Sequence, residues 1–223
     1  MEIERLNKII KKMEERKLKY PSDMTLFDEK TCVRDVKEAV CRAVISAIMA
    51  KCAYDLYGVE NTITITNKAK DELNAFGVID KLFEEEREVL SATYYSRLCD
   101  TIGWRYESAR ALLWAVGLVD SIDDAANPEN IEAAINETYA FILKYGSIEN
   151  LLSACRMRDT LELADEFQTY WYYHWNIVDG MIRGQWLETI SYDVVLERRR
   201  ALQWLVYSDE DNHHGWHKID LDT

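Results

Sequence analysis

The sequence has few residues that break helices. Only eight glycines and two prolines occur among its 223 residues. A β-sandwich or a β-barrel needs many tight turns, and tight turns depend on glycine and proline, so this scarcity excludes those all-β classes. Residues that favour helices, chiefly Leu, Ala, Glu and Lys, dominate the composition instead. The composition therefore predicts an all-α fold.

The sequence also lacks paired cysteines and a long apolar run. Its five cysteines are odd in number, and no two of them form a Cys-x-x-Cys pair, which indicates a reducing compartment. Residues 1–20 contain no signal-peptide apolar region, and Lys51 interrupts the longest apolar stretch, residues 44–57. We therefore expect a cytoplasmic protein that does not enter the membrane.

Positive charge is scarce outside the N-terminal segment. The net charge is −13, and residues 1–20 carry seven basic and four acidic side chains, so the rest of the chain carries −16. Such a surface repels a phosphate backbone, and no basic stripe offsets it, so nucleic acid is not an expected partner. A basic protein is an easier partner electrostatically. Ordinary solubilising charge accounts for the same composition, and the sequence leaves both interpretations open.

Hydrophobic periodicity places the main helices. Residues 1–20 are expected to form an amphipathic N-terminal helix. Its expected apolar face consists of Ile3, Leu6, Ile10 and Met13. Residues 157–183 carry two adjacent apolar stripes, which predict a long helix through the middle of the domain. A last helix is predicted over residues 192–206, followed by an irregular acidic tail, 208–223, that docks on the helices.

Local start signals place the other elements. Thr31 is expected to cap the second helix. Residues 61–66 alternate with period two and are interpreted as an extended loop, after which Asn67 caps a short helix. Pro128 and Ser147 are expected to start two further helices. Without repeats or a change in composition, the chain is expected to form one domain over residues 1–223.

Four segments carry a resemblance to a known family. They are Gly-Trp-Arg-Tyr-Glu-Ser-Ala-Arg-Ala-Leu-Leu-Trp-Ala-Val-Gly at 103–117, Tyr-His-Trp at 173–175, Val-Val-Leu-Glu-Arg-Arg-Arg-Ala-Leu-Gln-Trp-Leu at 194–205 and Trp-His-Lys-Ile-Asp-Leu-Asp-Thr at 216–223. In these segments the sequence resembles the bacterial domain-of-unknown-function family 4272. The resemblance implies a helical fold and a cytoplasmic bacterial setting, and it attaches no activity. The chain departs from the family pattern at Gly103, Arg199, Gln203 and His217, so a role that needs the usual side chains there is in doubt.

Large aromatic and ionisable side chains are the candidate functional residues, and we name them the Trp-Arg-acid set. Its members are Trp104, Arg105, Glu107, Trp114, Arg158, Glu162, Asp165, His174, Trp175, Glu197, Arg198, Trp204, Trp216 and Asp220. On a helix Arg158, Glu162 and Asp165 share one face. One interpretation is a pocket in which indoles stack on a ligand. The favoured interpretation is a packed network in which arginines and carboxylates pair with one another against the indoles.

Two smaller groups raise specific chemistry. Glu162 and Asp165 could act as acid and base in glycoside hydrolysis, but carboxylates three positions apart on a helix are common. His213, His214 and His217 could bind a divalent metal, but they lie in a tail without the ligand spacing of known sites. A solvated turn is the favoured interpretation of these histidines. We predict neither a metal nor another cofactor.

No catalytic motif accompanies the negative charge. The sequence therefore favours a non-enzymatic helical domain that binds or regulates another protein, with a basic protein as the expected partner. The alternative is a small-ligand binder or an enzyme that uses the Trp-Arg-acid set as its pocket. An open cavity among those residues separates the two hypotheses.

Overall fold

A computed structural model of the chain describes residues 2–27, 31–59, 61–208, 216 and 221. Within these ranges the chain is helical apart from connecting segments and one small sheet, which confirms the all-α class. The helices are α1 (Glu2–Glu15), α2 (Val36–Asp55), α3 (Thr62–Ala75), α4 (Glu84–Ser91), α5 (Arg97–Gly103), α6 (Arg105–Ala115), α7 (Ile131–Leu143), α8 (Ile148–Ala154), α9 (Thr160–Ile182) and α10 (Tyr192–Leu205). A 3-10 helix spans Ile79–Lys81, and the strands are β1 (Thr31–Val33) and β2 (Val206–Ser208). None of the described helices is both long enough and apolar enough to cross a membrane.

The described residues group into two compact units. Unit 1 combines residues 1–34, 121–127 and 158–223, and unit 2 combines residues 35–120 and 128–157. Unit 1 therefore contains α1, α9, α10 and both strands, while unit 2 contains α2 to α8. The single domain expected over residues 1–223 stays a prediction.

The long helix predicted at 157–183 is α9, the central element of unit 1. Asp159 caps it by accepting a hydrogen bond from the Leu161 amide at 2.9 Å. The helix packs against α1, α10 and both strands, which is why its apolar face is so broad. The last helix, expected at 192–206, is α10 and ends one residue earlier.

The buried face of α1 differs from the predicted one. Arg5, Ile9 and Met13 are buried, whereas Ile3 is 74% exposed. The expected apolar face is confirmed at Met13 but was wrong at Ile3, and Ile9 is buried in place of Ile10, which is only half-buried. Arg5 takes a buried position because its guanidinium is paired with a carboxylate of α9, which an apolar count cannot register.

A short antiparallel sheet joins β1 to β2 in unit 1. Thr31 lies opposite Ser208 and Val33 opposite Val206. Thr31 therefore lies in a strand, and its predicted role as a helix cap was wrong. Asp35 caps α2 instead, since its carboxylate accepts a hydrogen bond from the Lys37 amide at 2.8 Å.

Helix α2 is the centre of unit 2. Fourteen of its twenty residues are buried, and α3, α5, α6, α7 and α8 all pack against it. Because other helices pack around α2, apolar residues occur on almost every side of it and do not form a single apolar stripe. Its burial makes α2 the scaffold on which the other helices of unit 2 are arranged.

Helix α3 replaces the extended loop predicted for residues 61–66. Asn61 caps it by accepting a hydrogen bond from the Ile63 amide at 3.2 Å, so the cap lies six residues before the predicted one. Thr62, Thr66, Ala69 and Leu73 are buried. These positions recur with the helical period, and their packing outweighs the strand preference of alternating Thr and Ile.

Glycine fixes the end of α6. Gly117 has a φ of +74°, and a Cβ there would lie 2.7 Å from the Arg156 carbonyl oxygen. The Arg156 amide donates to the Val116 carbonyl at 2.9 Å, so only glycine lets the two segments approach this closely. Asn130, rather than Pro128, caps the next helix, while the start predicted at Ser147 is confirmed for α8.

We expect Trp204→Ala to lower the free energy of unfolding by about 3–5 kcal/mol, because the indole is only 8% exposed and its loss empties packed volume. Trp186→Ala is the matched control, since Trp186 is 80% exposed and should change stability by less than about 0.5 kcal/mol. Urea unfolding monitored by circular dichroism measures both. Equal midpoints for the two variants would contradict the buried role of Trp204.

Candidate functional site

The Trp-Arg-acid set is divided between the two units. Residues 104–114 of the set belong to unit 2, and residues 158–216 belong to unit 1. Asp220 and the candidate metal ligands His213, His214 and His217 lie outside the described residues. Within the described ranges, no three His, Cys, Asp or Glu side chains are grouped as a metal site. The members are therefore described unit by unit.

In unit 2, Arg105 belongs to a buried ion cluster. Its guanidinium contacts the carboxylates of Glu85 and Glu86, and Arg42 of α2 contacts the same Glu86 oxygen. Glu86 also accepts a hydrogen bond from the Phe83 amide at 2.9 Å, and the Arg42 guanidinium lies 4.7 Å from the Phe83 ring centroid. Two arginines thus share one fully buried carboxylate, which binds α2, α4 and α6 together.

Trp104 and Glu107 lie on the same part of unit 2. The Trp104 and Tyr106 rings stack with centroids 6.0 Å apart, and Trp104 packs against a buried cluster that includes Ile135. Glu107 is buried and accepts a hydrogen bond from Arg110 at 3.3 Å. Trp114, like Glu107, is buried in α6. These aromatic residues serve the packing of α2, α6 and α7.

In unit 1, Arg198 holds the segment 121–127 against α9 and α10. Its Nη1 donates to the Ile122 carbonyl at 2.6 Å, to the Asp124 carbonyl and to the Tyr170 hydroxyl at 2.7 Å. The Tyr170 hydroxyl donates in turn to the Ile122 carbonyl at 2.5 Å. The buried charge of Arg198 is therefore met by main-chain oxygens as well as by a side chain.

His174 lies beside Arg199 in the interior of unit 1. The Arg199 Nη1 donates to His174 Nδ1 and, at 2.9 Å, to the Leu221 carbonyl. Burial, together with the neighbouring Arg199 charge, lowers the pKa of His174 from the ordinary 6.5 to about 4. His174 is consequently neutral at pH 7 and serves as a hydrogen-bond acceptor.

Glu162 and Asp165 have different partners. Glu162 accepts a hydrogen bond from Arg158 at 2.8 Å, while Asp165 accepts from both Nε and Nη2 of Arg5 at 2.7–3.0 Å. The neighbouring Glu166 pairs with Lys12 at 2.7 Å. Burial opposes the charge of Lys12, but the carboxylates of Glu166 and Asp123 together outweigh it and hold the pKa of Lys12 above its ordinary range. Each of these acids is thus engaged by a cation.

The remaining members of the set line the end of α10 and the middle of α9. Trp204 and Trp216 are buried edge to face with ring centroids 5.6 Å apart. Arg34 donates to the Trp204 carbonyl at 2.6 Å with its guanidinium over the indole. Glu197 is buried and pairs with Arg200, while Trp175 is half-buried. In unit 1 the set consequently serves as packing and internal pairing.

Three of the cysteines, Cys41, Cys52 and Cys155, have little nucleophilic character. Burial raises the pKa of Cys52 to about 12 and that of Cys155 to about 11, and it also raises the pKa of Cys41. A thiol attacks as its thiolate, and at pH 7 these three thiols are protonated. They behave as small apolar side chains.

Several members of these networks are not identified from the sequence. Arg42, Glu86, Lys12, Glu166 and Tyr170 complete the ion pairs and hydrogen bonds, yet none belongs to the Trp-Arg-acid set. One sequence signal for Glu86 exists, because a glutamate in the first turn of a helix is typical of a capping position. The other four residues pair with partners far away in the sequence, and the spacing of neighbouring residues cannot predict such pairs.

Four large side chains on two neighbouring segments of unit 2 are exposed or partly exposed, and we name them the tyrosine patch. It consists of Tyr57, Ile63, Tyr94 and Tyr95. The Tyr57 and Tyr95 rings meet edge to face with centroids 5.3 Å apart, and Tyr57, Tyr94 and Ile63 are 74%, 72% and 63% exposed. A hydrogen bond of 2.9 Å from the Thr62 hydroxyl to the Ala92 carbonyl holds the two connecting segments side by side.

Two carboxylates, of Asp55 and Asp100, lie close in sequence to tyrosines of the patch, and Asp100 contacts one of them directly. The Tyr95 hydroxyl donates to Asp100, and burial together with that hydrogen bond raises the pKa of Tyr95, so the ring stays neutral at pH 7. Asp55 lies on the adjoining turn of α2, where Lys51 pairs with it, and Arg97 begins α5. Neutral aromatic faces beside carboxylates are suited to contact with cationic side chains.

Comparison with known families finds a match over most of the chain. A family model described as "Domain of unknown function (DUF4272)" matches residues 5–219 of the 223, so the chain belongs to this family. No curated protein and no solved structure matches the chain.

The stability of the folded chain should depend on the protonation of His174. The pKa is about 4 when folded and about 6.5 when unfolded, so the unfolded chain takes up this proton first as the pH falls. The stability that the fold gains by keeping His174 neutral is fully present above about pH 6.5 and is lost as the pH falls towards 4. Between about pH 7 and about pH 5 we expect a loss of about 2 kcal/mol from this residue.

His174→Asn isolates that effect, because the asparagine amide oxygen can take the place of Nδ1 as acceptor but does not titrate. The free energy of unfolding, measured in urea at both pH values, should fall less in the variant than in the wild type. Parallel pH profiles would rule out this role for His174.

Proposed function

We propose that the chain is a non-enzymatic cytoplasmic domain that binds and regulates another protein through the tyrosine patch. The observation that carries this proposal is the exposure of Tyr57, Ile63 and Tyr94 around the Thr62–Ala92 hydrogen bond, which holds their segments side by side. Aromatic side chains bury large areas at little entropic cost, and they are enriched where proteins bind one another. An odd number of cysteines without a Cys-x-x-Cys pair suits a reducing compartment.

The charge of the chain supports a basic partner. The net charge is −13, and the Asp100 carboxylate contacts the Tyr95 hydroxyl of the patch. A surface of this sign attracts cationic proteins over a distance and speeds their encounter, while tyrosine faces contact Arg and Lys side chains once they arrive.

The internal pairing of the Trp-Arg-acid set supports a non-enzymatic function. Arg105 and Arg198 direct their donors at buried carboxylates or main-chain oxygens, and Asp165 receives two hydrogen bonds from Arg5. Groups that serve one another in this way stabilise a fold. The alternative of a small-ligand pocket or an active site built from these residues has less support for this reason.

Binding of a defined basic probe tests the proposal. A fluorescein-labelled peptide that alternates Arg and Leu should raise its anisotropy on addition of the protein, whereas the matched Glu-Leu peptide should not. Added salt should weaken binding. Tyr57→Ala/Tyr94→Ala should weaken it about tenfold, because aromatic anchors dominate interface energy.

Trp186→Ala/Ile182→Ala is the control, since it also removes two large and highly exposed apolar side chains but lies in unit 1. Both double variants should keep the urea midpoint of the wild type, which separates lost binding from lost folding. A pull-down from a lysate of the source organism should yield a salt-sensitive partner with the control but not with the tyrosine variant. Equal binding of the Arg-Leu peptide by the two double variants would contradict the proposal.

A further inference from the structure

A sharp turn after α3 creates a pocket on unit 2, apart from the tyrosine patch. Gly77 has a φ of +66°, a conformation that L side chains rarely adopt. Its amide donates to the Asn74 carbonyl and the Val78 amide donates to the Leu73 carbonyl, each at 2.9 Å. This arrangement ends the helix and sends the chain back along it, so that the 3-10 helix and α4 face α3.

The pocket lined by these elements is an open surface cleft with the volume of a small-molecule site. Its volume is about 450 Å³, and ligand pockets usually measure roughly 300–1,000 Å³. Ile79, Leu82 and Leu90 form its apolar floor, of which Leu82 and Leu90 are buried. Such a floor accepts an aliphatic or aromatic body.

Two cations stand at the rim of the pocket. Lys70 of α3 and Arg87 of α4 both line it, with Asp80 as the single acid and Ser91 beside them. Arg87 Nη2 donates at 3.3 Å to the Asp80 main-chain oxygen, which leaves other guanidinium donors for a ligand. Among the described residues no carboxylate forms an ion pair with Lys70 or Arg87. The rim is thus positive on a chain whose net charge is −13.

We infer that the pocket formed by α3, the 3-10 helix and α4 binds a small amphipathic anion, with its apolar body on Leu82 and Leu90 and its acidic head group between Lys70 and Arg87. A carboxylate and a phosphate ester share this chemistry, since each accepts charge-assisted hydrogen bonds from ammonium and guanidinium groups. The inference does not depend on the proposed protein-binding function, because the two surfaces share no residue.

Isothermal titration of the full chain with matched eight-carbon probes tests the inference. Octanoate or octyl phosphate should bind, and the tighter of the two identifies the preferred head group. Octanol, octylamine and acetate should each bind at least about tenfold more weakly, because each lacks the anion or the apolar body. Amide chemical-shift changes in a nitrogen-15 NMR spectrum should centre on residues 70–91.

Charge reversal at the rim supplies the decisive variant. Lys70→Glu/Arg87→Glu should lose octanoate binding by about tenfold or more and gain binding of octylamine, which a misfolded protein could not do. Lys144→Glu/Arg156→Glu is the control, since it changes the net charge of unit 2 equally at two exposed positions that lie outside α3, the 3-10 helix and α4 and do not line the pocket. Its octanoate affinity should match that of the wild type.

Three results would overturn the inference. They are the absence of binding by both anions, equal affinity for octanoate and octanol, and octanoate binding that survives the Lys70→Glu/Arg87→Glu change. Shifts centred outside residues 70–91 would place any bound anion elsewhere and would equally contradict it.

Discussion

The pairing of Glu86 with Arg42 and Arg105 is the interaction on which unit 2 depends. All three side chains are buried, and they come from α4, α2 and α6. A charge in a protein interior is tolerated only when opposite charges or hydrogen bonds surround it, so the three helices have to meet in this one arrangement. The apolar contacts of α2 stabilise the unit, while this carboxylate selects which packing of the helices is formed.

Unit 1 uses a related principle with different acceptors. Arg198 is satisfied mainly by the carbonyl oxygens of Ile122 and Asp124, and Arg199 by His174 and the Leu221 carbonyl. Main-chain oxygens thereby take the place of carboxylates as partners of buried cations. In both units the buried charges described above are paired within the fold. The tyrosine patch and the Lys70 and Arg87 side chains lie at the surface instead, where a partner or ligand can reach them.

Sequence patterns predicted the elements that depend on local chemistry and missed those that depend on distant contacts. Helix α9 and the cap at Ser147 follow from periodicity and a short side-chain hydrogen bond, and both were predicted. Helix α3 was not, because its Thr and Ile residues favour strands until packing buries them on one side. The pairing of Arg5 with Asp165 spans 160 positions, so no spacing rule detects it. The pocket at α4 was missed for the same reason.

One further property follows from the second oxygen of Glu86. While one oxygen meets the arginines, the other accepts the Phe83 amide at the beginning of α4. Initiation of that helix is therefore coupled to the tertiary ion cluster, and neither is complete alone. Helix α4 also carries Leu90 and Arg87. A molecule that binds these side chains and stabilises the helix would therefore also stabilise the ion pairs of Glu86 with Arg42 and Arg105. By thermodynamic linkage, stronger ion pairs would in turn favour binding of that molecule.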